Sequence, residues 1–150
     1  MNLVEQLYHF FEVDDWPFQY NEEHAVFQTA FKGKSGQWPM VARVHRELEL
    51  VIIYSVCPVA VPDDRRYAMA ELLTRANYGM FIGNFEMDFD DGEVRFKTSV
   101  DVEGGEVTFE LIKQLVYVNV STMDRYFPGI MSVTYGQTDP VDAIRAIEGE

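Results

Sequence analysis

The sequence predicts an α+β fold, in which an antiparallel five-stranded sheet has helices packed on one side in the order α-β-β-β-α-β-β-α. Three stretches repeat their apolar residues every three or four positions, which is the spacing of an amphipathic helix. The stretches between them alternate apolar and polar residues, as half-buried strands do. Clusters of turn-forming residues separate these strands, so neighbours are expected to pair antiparallel. The length suits a single domain, residues 1–150.

The first half of the chain predicts one helix and three strands. Residues 2–13 have helical periodicity, and Asn2 with Glu5 three residues later forms the pattern of a capping box. Pro17 then favours a short extended segment. A turn at residues 32–36 reverses the chain between the first two strands. The strands are expected at residues 24–31, 38–46 and 49–56.

A second helix is expected at residues 65–77, where Asp63 or Asp64 can cap its start and Gly79 ends it. Strands at residues 81–89 and 94–102 then flank Asp91-Gly92, a dipeptide typical of a two-residue hairpin loop. That loop predicts the following pairs across the ladder: Phe89 with Val94, Met87 with Phe96, Phe85 with Thr98, Asp88 with Arg95, and Glu86 with Lys97.

The last third predicts two helices after a break at Gly104 and Gly105. A long helix is expected at residues 108–133. The alternation of valines at residues 116–120 is also typical of a strand, and only the length of the surrounding periodic pattern favours the helix. A short final helix begins around Pro140, which is harmless in a first helical turn.

Charge disfavours several classes of partner. The chain has 12 Lys and Arg residues against 25 Asp and Glu residues, and the formal net charge of −13 repels nucleic-acid phosphates and anionic lipid. No apolar run approaches the ~20 residues of a membrane span, and the first residues lack the pattern of a signal peptide. We therefore expect a cytoplasmic protein with no nucleic-acid or membrane partner. The single Cys57 agrees with a reducing compartment.

Residues that carry catalysis or bind metals are scattered along the sequence. His9, His24 and His45 lack the paired spacing of zinc ligands, and Cys57 is interpreted as a buried thiol rather than a nucleophile. The acidic tip at residues 88–93 lacks the glycine and glutamate positions of a calcium loop. No glycine-rich phosphate-binding motif is present. We predict a non-enzymatic protein without catalytic, cofactor-binding or metal-binding residues.

Four aromatic residues fall in or beside edge-like segments: Trp16, Phe18, Tyr20 and Trp38. One interpretation is that they cover the small core. The other is that they form a docking surface for a peptide or a second subunit, and they are the candidate partner-binding residues.

The order of elements resembles the type III secretion chaperone-like fold. More specifically, residues 71–79 (ELLTRANYG), 83–88 (GNFEMD) and 91–96 (DGEVRF), with Pro62 upstream, resemble the YbjN family of putative bacterial sensory transduction regulators. The resemblance covers about residues 3–130. It implies a small acidic protein, often dimeric, that binds extended polypeptide, and it supplies no catalytic or cofactor residue.

Two hypotheses for function follow. In the first, the protein binds another polypeptide, with a sheet edge supplying backbone groups and the aromatics supplying pockets. It also forms a homodimer through the helix at residues 65–77 and the two strands that follow it. In the second, the protein senses a small molecule in an apolar pocket between the sheet and the long helix.

Overall fold

The computed structural model describes residues 1–103 and 106–149. The expected break at Gly104 and Gly105 lies outside the described residues. A 3₁₀ turn, Asp63–Arg65, precedes the second helix. In chain order the helices and strands are α1 (Leu3–Val13), β1 (Gln19–Asn21), β2 (Val26–Lys32), β3 (Gln37–His45), β4 (Leu50–Val56), α2 (Arg66–Asn77), β5 (Asn84–Met87), β6 (Val94–Asp101), α3 (Phe109–Thr134) and α4 (Pro140–Glu148).

The strands form one antiparallel sheet in the spatial order β1-β2-β3-β4-β6-β5. This confirms the α+β class and the antiparallel pairing, but the expected count of five strands was wrong, because the described part of the chain forms a sheet of six. The additional strand, β1, lies in the segment that was expected only to be extended. Pairing starts at Gln19, two residues after Pro17, since proline has no N–H to contribute to a ladder.

The helices cover one face of the sheet, as predicted. Along β3 the buried residues alternate with exposed or half-buried residues, so Met40 and Val44 point to the helical side while Arg43 points to solvent. The same alternation continues through β4 and β6. Helix α3 packs on β4 and β6, and α2 packs on β5. Nearly all of the core therefore lies between the helices and this inner face.

Helix α3 confirms the helical interpretation of the valine-rich stretch, since Val116 and Val120 are buried one turn apart. A buried polar contact fixes the helix on the sheet. The Nδ2 of Asn119 donates to the carbonyl oxygen of Ile53 at 2.8 Å and lies 3.1 Å from the hydroxyl oxygen of Thr98. Thr98 in turn donates to the carbonyl of Leu115 at 2.9 Å. These bonds satisfy polar groups that would otherwise destabilise the core.

The capping box at the start of α1 forms as predicted. The side chain of Asn2 accepts from the N–H of Glu5 at 2.8 Å, and the side chain of Glu5 accepts from the N–H of Asn2 at 3.1 Å. Both bonds satisfy donors that have no partner within the helix.

The predicted register of the β5–β6 hairpin was wrong by two residues. Met87 lies opposite Val94, Phe85 opposite Phe96, and Glu86 opposite Arg95. A shift of two keeps every side chain on its predicted face. It replaces the Asp88–Arg95 pair with a Glu86–Arg95 ion pair of 2.6 Å, while Glu86 reaches Lys97 diagonally at 3.4 Å.

The register differs because the loop spans residues 88–93 rather than Asp91-Gly92 alone. Side-chain oxygens of Asp88 and Asp91 accept from the N–H groups of Asp90 and Glu93 at 2.8 and 2.9 Å. These local bonds stabilise a wider turn than two residues provide. Gly92 still has positive φ, +79°, as expected.

We expect Gly92→Val to lower the free energy of unfolding by about 3 kcal/mol or more. A Cβ at this position would lie 2.2 Å from the carbonyl oxygen of Val61, in addition to the unfavourable φ. Gly79→Val is the matched control, because its φ is +85° and a Cβ there would meet nothing within 4 Å. The control should lose only about 1 to 2 kcal/mol. Urea denaturation measures both, and equal losses would show that the contact with Val61 is unimportant.

Candidate functional site

The candidate site lies at an edge of the sheet. The strand order places β5 at one end and β1, beside β2, at the other. In an antiparallel ladder, alternate residues of a strand bond to the neighbour on one side, and the residues between them point to the opposite side. The backbone hydrogen bonds therefore show which residues at each edge point their N–H and C=O groups away from the sheet.

Strand β1 covers only part of β2. Its three residues pair with residues 26–28, so β2 extends past them toward Lys32. The bonds from Gly33 N–H to the carbonyl of Gly36 (2.8 Å), and from Val44 N–H to that of Ala25 (3.0 Å), show that odd-numbered residues face β3. Ala30 and Lys32 therefore direct their N–H and C=O groups outward. Within the described ranges, neither forms a backbone bond on that side. We call these outward groups the open edge.

Pro17 keeps the open edge free. By the register of β1 and β2 it is the residue nearest to Ala30, but its carbonyl accepts the hydroxyl of Thr29 at 2.6 Å instead of the N–H of Ala30. Proline also has no N–H to offer to the carbonyl of Ala30. The chain's own preceding segment therefore passes beside the edge without pairing to it.

Two shallow hollows meet at Ala30, which is exposed and lines both. One has a volume of about 510 Å³, and its lining includes Pro17 and Phe18. The other has a volume of about 370 Å³, and its lining includes Phe31 and Lys32. A chain lying along the open edge would therefore have a hollow on either side of Ala30 for its side chains.

Three of the four candidate aromatics lie together next to the open edge. Trp16, Phe18 and Tyr20 are half-buried. The ring of Trp16 stacks on Phe31 with centroids 5.9 Å apart, and Tyr20 packs on Phe27 at 4.6 Å. These three rings pack against the core on one side and lie next to the open edge on the other.

The fourth candidate, Trp38, belongs to the core. It is only 2% exposed, its indole N–H donates to the hydroxyl of Ser55 at 3.0 Å, and its ring stacks on Phe127. Its ring is therefore not free to contact a partner in this conformation. Direct contact between the other three rings and a partner stays a prediction.

Asp124 on α3 fixes the turn that follows the open edge. Its carboxylate accepts from the N–H groups of Lys34 and Ser35, each at 2.9 Å, and from the hydroxyl of Ser35 at 2.6 Å. Partial burial acts against the ionised form, but the bonds from Ser35 and Lys34 outweigh it and hold the pKa of Asp124 below its ordinary value. The end of β2 is thereby tied to the helical layer.

Sequence reasoning missed a second surface feature, an exposed aromatic group beside β5. Tyr67 and Tyr78 on or next to α2 are 84% and 91% exposed, and Phe81 is fully exposed. Tyr67 contacts Phe89 with ring centroids 5.6 Å apart. The sequence does contain a signal for this feature, namely Gly79 and Gly83. Both have positive φ, so Phe81 lies in a loop between them and not in the regular strand that was predicted there.

The groups with chemical reactivity do not converge on this edge. Burial raises the pKa of the Cys57 thiol, which makes it a weak nucleophile. Among residues 1–103 and 106–149, no three His, Cys, Asp or Glu side chains are grouped to hold a metal ion. In the same part of the chain, no helix has the length and apolar character to cross a membrane.

The layer between the sheet and α3, where the second hypothesis places an apolar pocket, holds the buried side chains of Phe96, Val120 and Met123. A hollow of about 410 Å³ lies instead at one end of the sheet, and Leu3 and Glu49 are part of its mixed polar and apolar lining. Among residues 1–103 and 106–149, no specific contact favours the sensing hypothesis.

Comparison of the sequence and the structure with known proteins finds a family and solved structures that are similar to this chain. The family model YbjN, described as "Putative bacterial sensory transduction regulator", matches residues 3–131. The crystal structure of YbjN from E. coli, a putative transcription regulator, has a TM-score of 0.60 at 12% identity and covers 81% of this chain and 85% of that one. The crystal structure of the ExsC-ExsE complex has a TM-score of 0.52 at 14% identity, covering 81% and 90%. No curated protein sequence matches. These findings confirm the predicted family resemblance and the type III secretion chaperone-like fold.

We expect Asp124→Asn to lower the free energy of unfolding by about 1 to 2 kcal/mol at pH 7, because it weakens charge-assisted bonds to the turn. A carboxylate with a lowered pKa stabilises the fold fully above its unfolded pKa and loses that effect as the pH falls through the folded value. The difference from wild type should therefore shrink below about pH 3.8. Asp90→Asn, at the exposed hairpin tip, is the control. Denaturation curves at several pH values that show a constant difference would contradict this role of Asp124.

Proposed function

The chain belongs to the YbjN family, and we propose that it is a non-enzymatic, regulatory or chaperone-like protein that binds an extended polypeptide along the open edge. The observation that carries this proposal is the outward direction of the backbone groups of Ala30 and Lys32. A bound segment would lie in line with β1 and pair with the uncovered part of β2. Main-chain hydrogen bonds of this kind provide affinity without requiring a fixed sequence.

The two hollows at Ala30 supply the side-chain contacts that strand pairing needs for selectivity. Successive residues of an added strand point to opposite faces of the sheet, so alternate side chains reach the same hollow. Phe18 offers an apolar wall, and Lys32 offers a positive charge in a protein whose net charge is −13. We infer that the preferred segment is apolar opposite Phe18 and tolerates an acidic residue near Lys32.

The structural neighbours support binding rather than catalysis. One is a complex of two proteins, ExsC and ExsE, and the family description is regulatory. A partner of protein character and a location in the cytoplasm, as expected from the sequence, both fit this proposal.

We also propose that two copies associate through α2. Tyr67, Glu71, Thr74 and Tyr78 follow one another at spacings of four, three and four, so they form a single exposed stripe about 16 Å long. A two-fold axis near the middle of α2 would place Tyr67 of one copy beside Tyr78 of the other, and Glu71 beside Thr74. A stripe that is complementary to itself in this way suits a symmetric dimer.

The binding proposal is tested by Ala30→Pro. Because the N–H of Ala30 faces outward, the substitution removes a donor for the partner while it leaves the β2–β3 bonds intact. Peptides of about 12 residues would be selected on the wild-type protein from a random phage-displayed library, and their affinities measured by fluorescence anisotropy. Loss of one main-chain bond corresponds to about a tenfold increase in Kd.

Ala30→Thr is the matched control, since threonine keeps the N–H and suits a strand. Its Kd should stay close to the wild-type value, and urea denaturation should show that both variants fold. If no peptide binds the wild type, or if Ala30→Pro binds as tightly as Ala30→Thr, the open edge is not the binding site.

The dimer is tested by the double substitution Tyr67→Lys with Tyr78→Lys, which removes both exposed rings and adds like charges at both ends of the stripe. Sedimentation velocity should show a dimer for wild type and a monomer for the variant. Leu48→Lys is the control, because Leu48 is 56% exposed on the distant β3–β4 turn. A monomeric wild type, or a variant that remains dimeric, would remove α2 as the interface.

A further inference from the structure

The second edge of the sheet, at β5, is closed by the chain's own side chains. The N–H of Phe85 donates to the Oδ1 of Asn77 at 2.7 Å, and the Nδ2 of Asn77 donates to the carbonyl of Phe85 at 3.0 Å. A carboxamide has the same donor and acceptor as a peptide group. Asn77 therefore occupies the place that a neighbouring strand would take.

The bonding pattern shows that the backbone N–H and C=O of Phe85 point away from β6, toward the edge of the sheet. Asp88 N–H donates to the carbonyl of Glu93 at 2.9 Å, and the register places Glu86 opposite Arg95, so the even-numbered residues face β6. Phe85 and Met87 are the two residues of β5 that face away from β6. Asn77 thus bonds to backbone groups that would otherwise be available to a second strand.

A second side chain closes the far end of β5. The Nη1 of Arg66 donates to the carbonyl of Phe89 at 2.9 Å, two residues past the strand, and its Nε donates to the carbonyl of Val61 at 3.0 Å. Arg66 and Asn77 are the first and last residues of α2. The helix therefore lies along β5 and holds it at both ends. All four residues of β5 (Asn84–Met87) are described. Of these, only Met87 has outward N–H and C=O groups that no side chain bonds.

The loop after α2 places Phe85 next to Asn77, only eight residues away. Gly79 and Gly83 both have positive φ, +85° and +80°, which lets residues 78–83 turn back sharply. At Gly83 a Cβ would lie 2.7 Å from the carbonyl oxygen of Lys97, so a larger residue would push the loop away from β6. The turn of residues 78–83 thus brings Asn77 to the edge of β5 that it closes.

We propose that Asn77 is a specificity-determining residue, which blocks strand pairing at β5 and thereby directs an extended segment to the open edge at β2. Strands in proteins seldom have fewer than three residues, so the one uncovered residue, Met87, is too short a template. This inference rests on the proposed function, because it assigns the bound segment to one edge. Protecting an edge in this way also prevents unwanted pairing between copies.

The test is the stoichiometry of binding, measured by isothermal titration calorimetry with a peptide selected on the wild-type protein. We expect one peptide per chain for wild type and two for Asn77→Ala, because the substitution frees the N–H of Phe85 and leaves its carbonyl with only the longer 3.3 Å bond from Asn84. The double variant Ala30→Pro with Asn77→Ala should again bind one. If Asn77→Ala binds a single peptide, with the wild-type affinity, Asn77 does not determine the edge.

A second measurement separates this inference from the proposed function. If no peptide binds the wild type, the proposed function fails, but the exposed edge of Asn77→Ala should still pair with another copy. Sedimentation velocity should then show larger species than for wild type, and adding Met87→Pro should remove them by deleting the outward N–H. Sedimentation identical to wild type, without a second bound peptide, overturns the inference. If Asn77→Ala does not fold, Asn77→Leu replaces it, since leucine is similar in size but has neither the acceptor for the N–H of Phe85 nor the donor for its carbonyl.

Discussion

An open antiparallel sheet has two edges, and the backbone N–H and C=O groups along each edge need a hydrogen-bond partner from a side chain, another strand or water. This protein satisfies the two edges differently. At β5 the side chains of Asn77 and Arg66 take the place of a strand. At β2 the short strand β1 and Pro17 leave Ala30 and Lys32 facing outward. The contrast between a closed and an open edge is the structural basis for assigning a binding site to one end of the sheet.

The core packs against the strand that carries the open edge. Four rings pack one against the next with successive centroids 5.3 to 5.9 Å apart: Trp16 from the segment before β1, Phe31 from β2, Trp38 from β3 and Phe127 from α3. Asp124 fixes the adjoining turn to the same helix. A segment that binds a preformed edge loses less free energy to ordering of the receptor than one that binds a flexible loop. The aromatic residues thus link the strand that carries the open edge to the core.

Much of the fold was predictable because its signals are local. Helical spacing identified α1 and α2, the capping box at Asn2 and Glu5 was correct, and length distinguished the helix around Val116 from a strand. Strand β1 was missed because three residues are too few for a pattern to be visible. The hairpin register was wrong because the side chains of Asp88 and Asp91 stabilise a wider loop, which the Asp-Gly dipeptide does not indicate.

The candidate site was harder to predict, since it depends on contacts between distant parts of the chain. The direction of a backbone N–H follows from the register of two strands, so the outward direction of the N–H of Ala30 cannot be predicted until both neighbouring strands are placed. Trp38 is buried against Phe127 and bonds to Ser55, and both partners are distant in the sequence. Asn77 looks like an ordinary residue at a helix end, and only the path of the following loop brings it to Phe85.

Amide hydrogen exchange, resolved by residue with NMR, tests the difference between the two edges most directly. In the free protein the N–H of Phe85 should be protected by its bond to Asn77, whereas the N–H groups of Ala30 and Lys32 should exchange nearly as fast as in an unfolded chain. Strong protection of Ala30 and Lys32, or rapid exchange at Phe85, would contradict the assignment of an open and a closed edge.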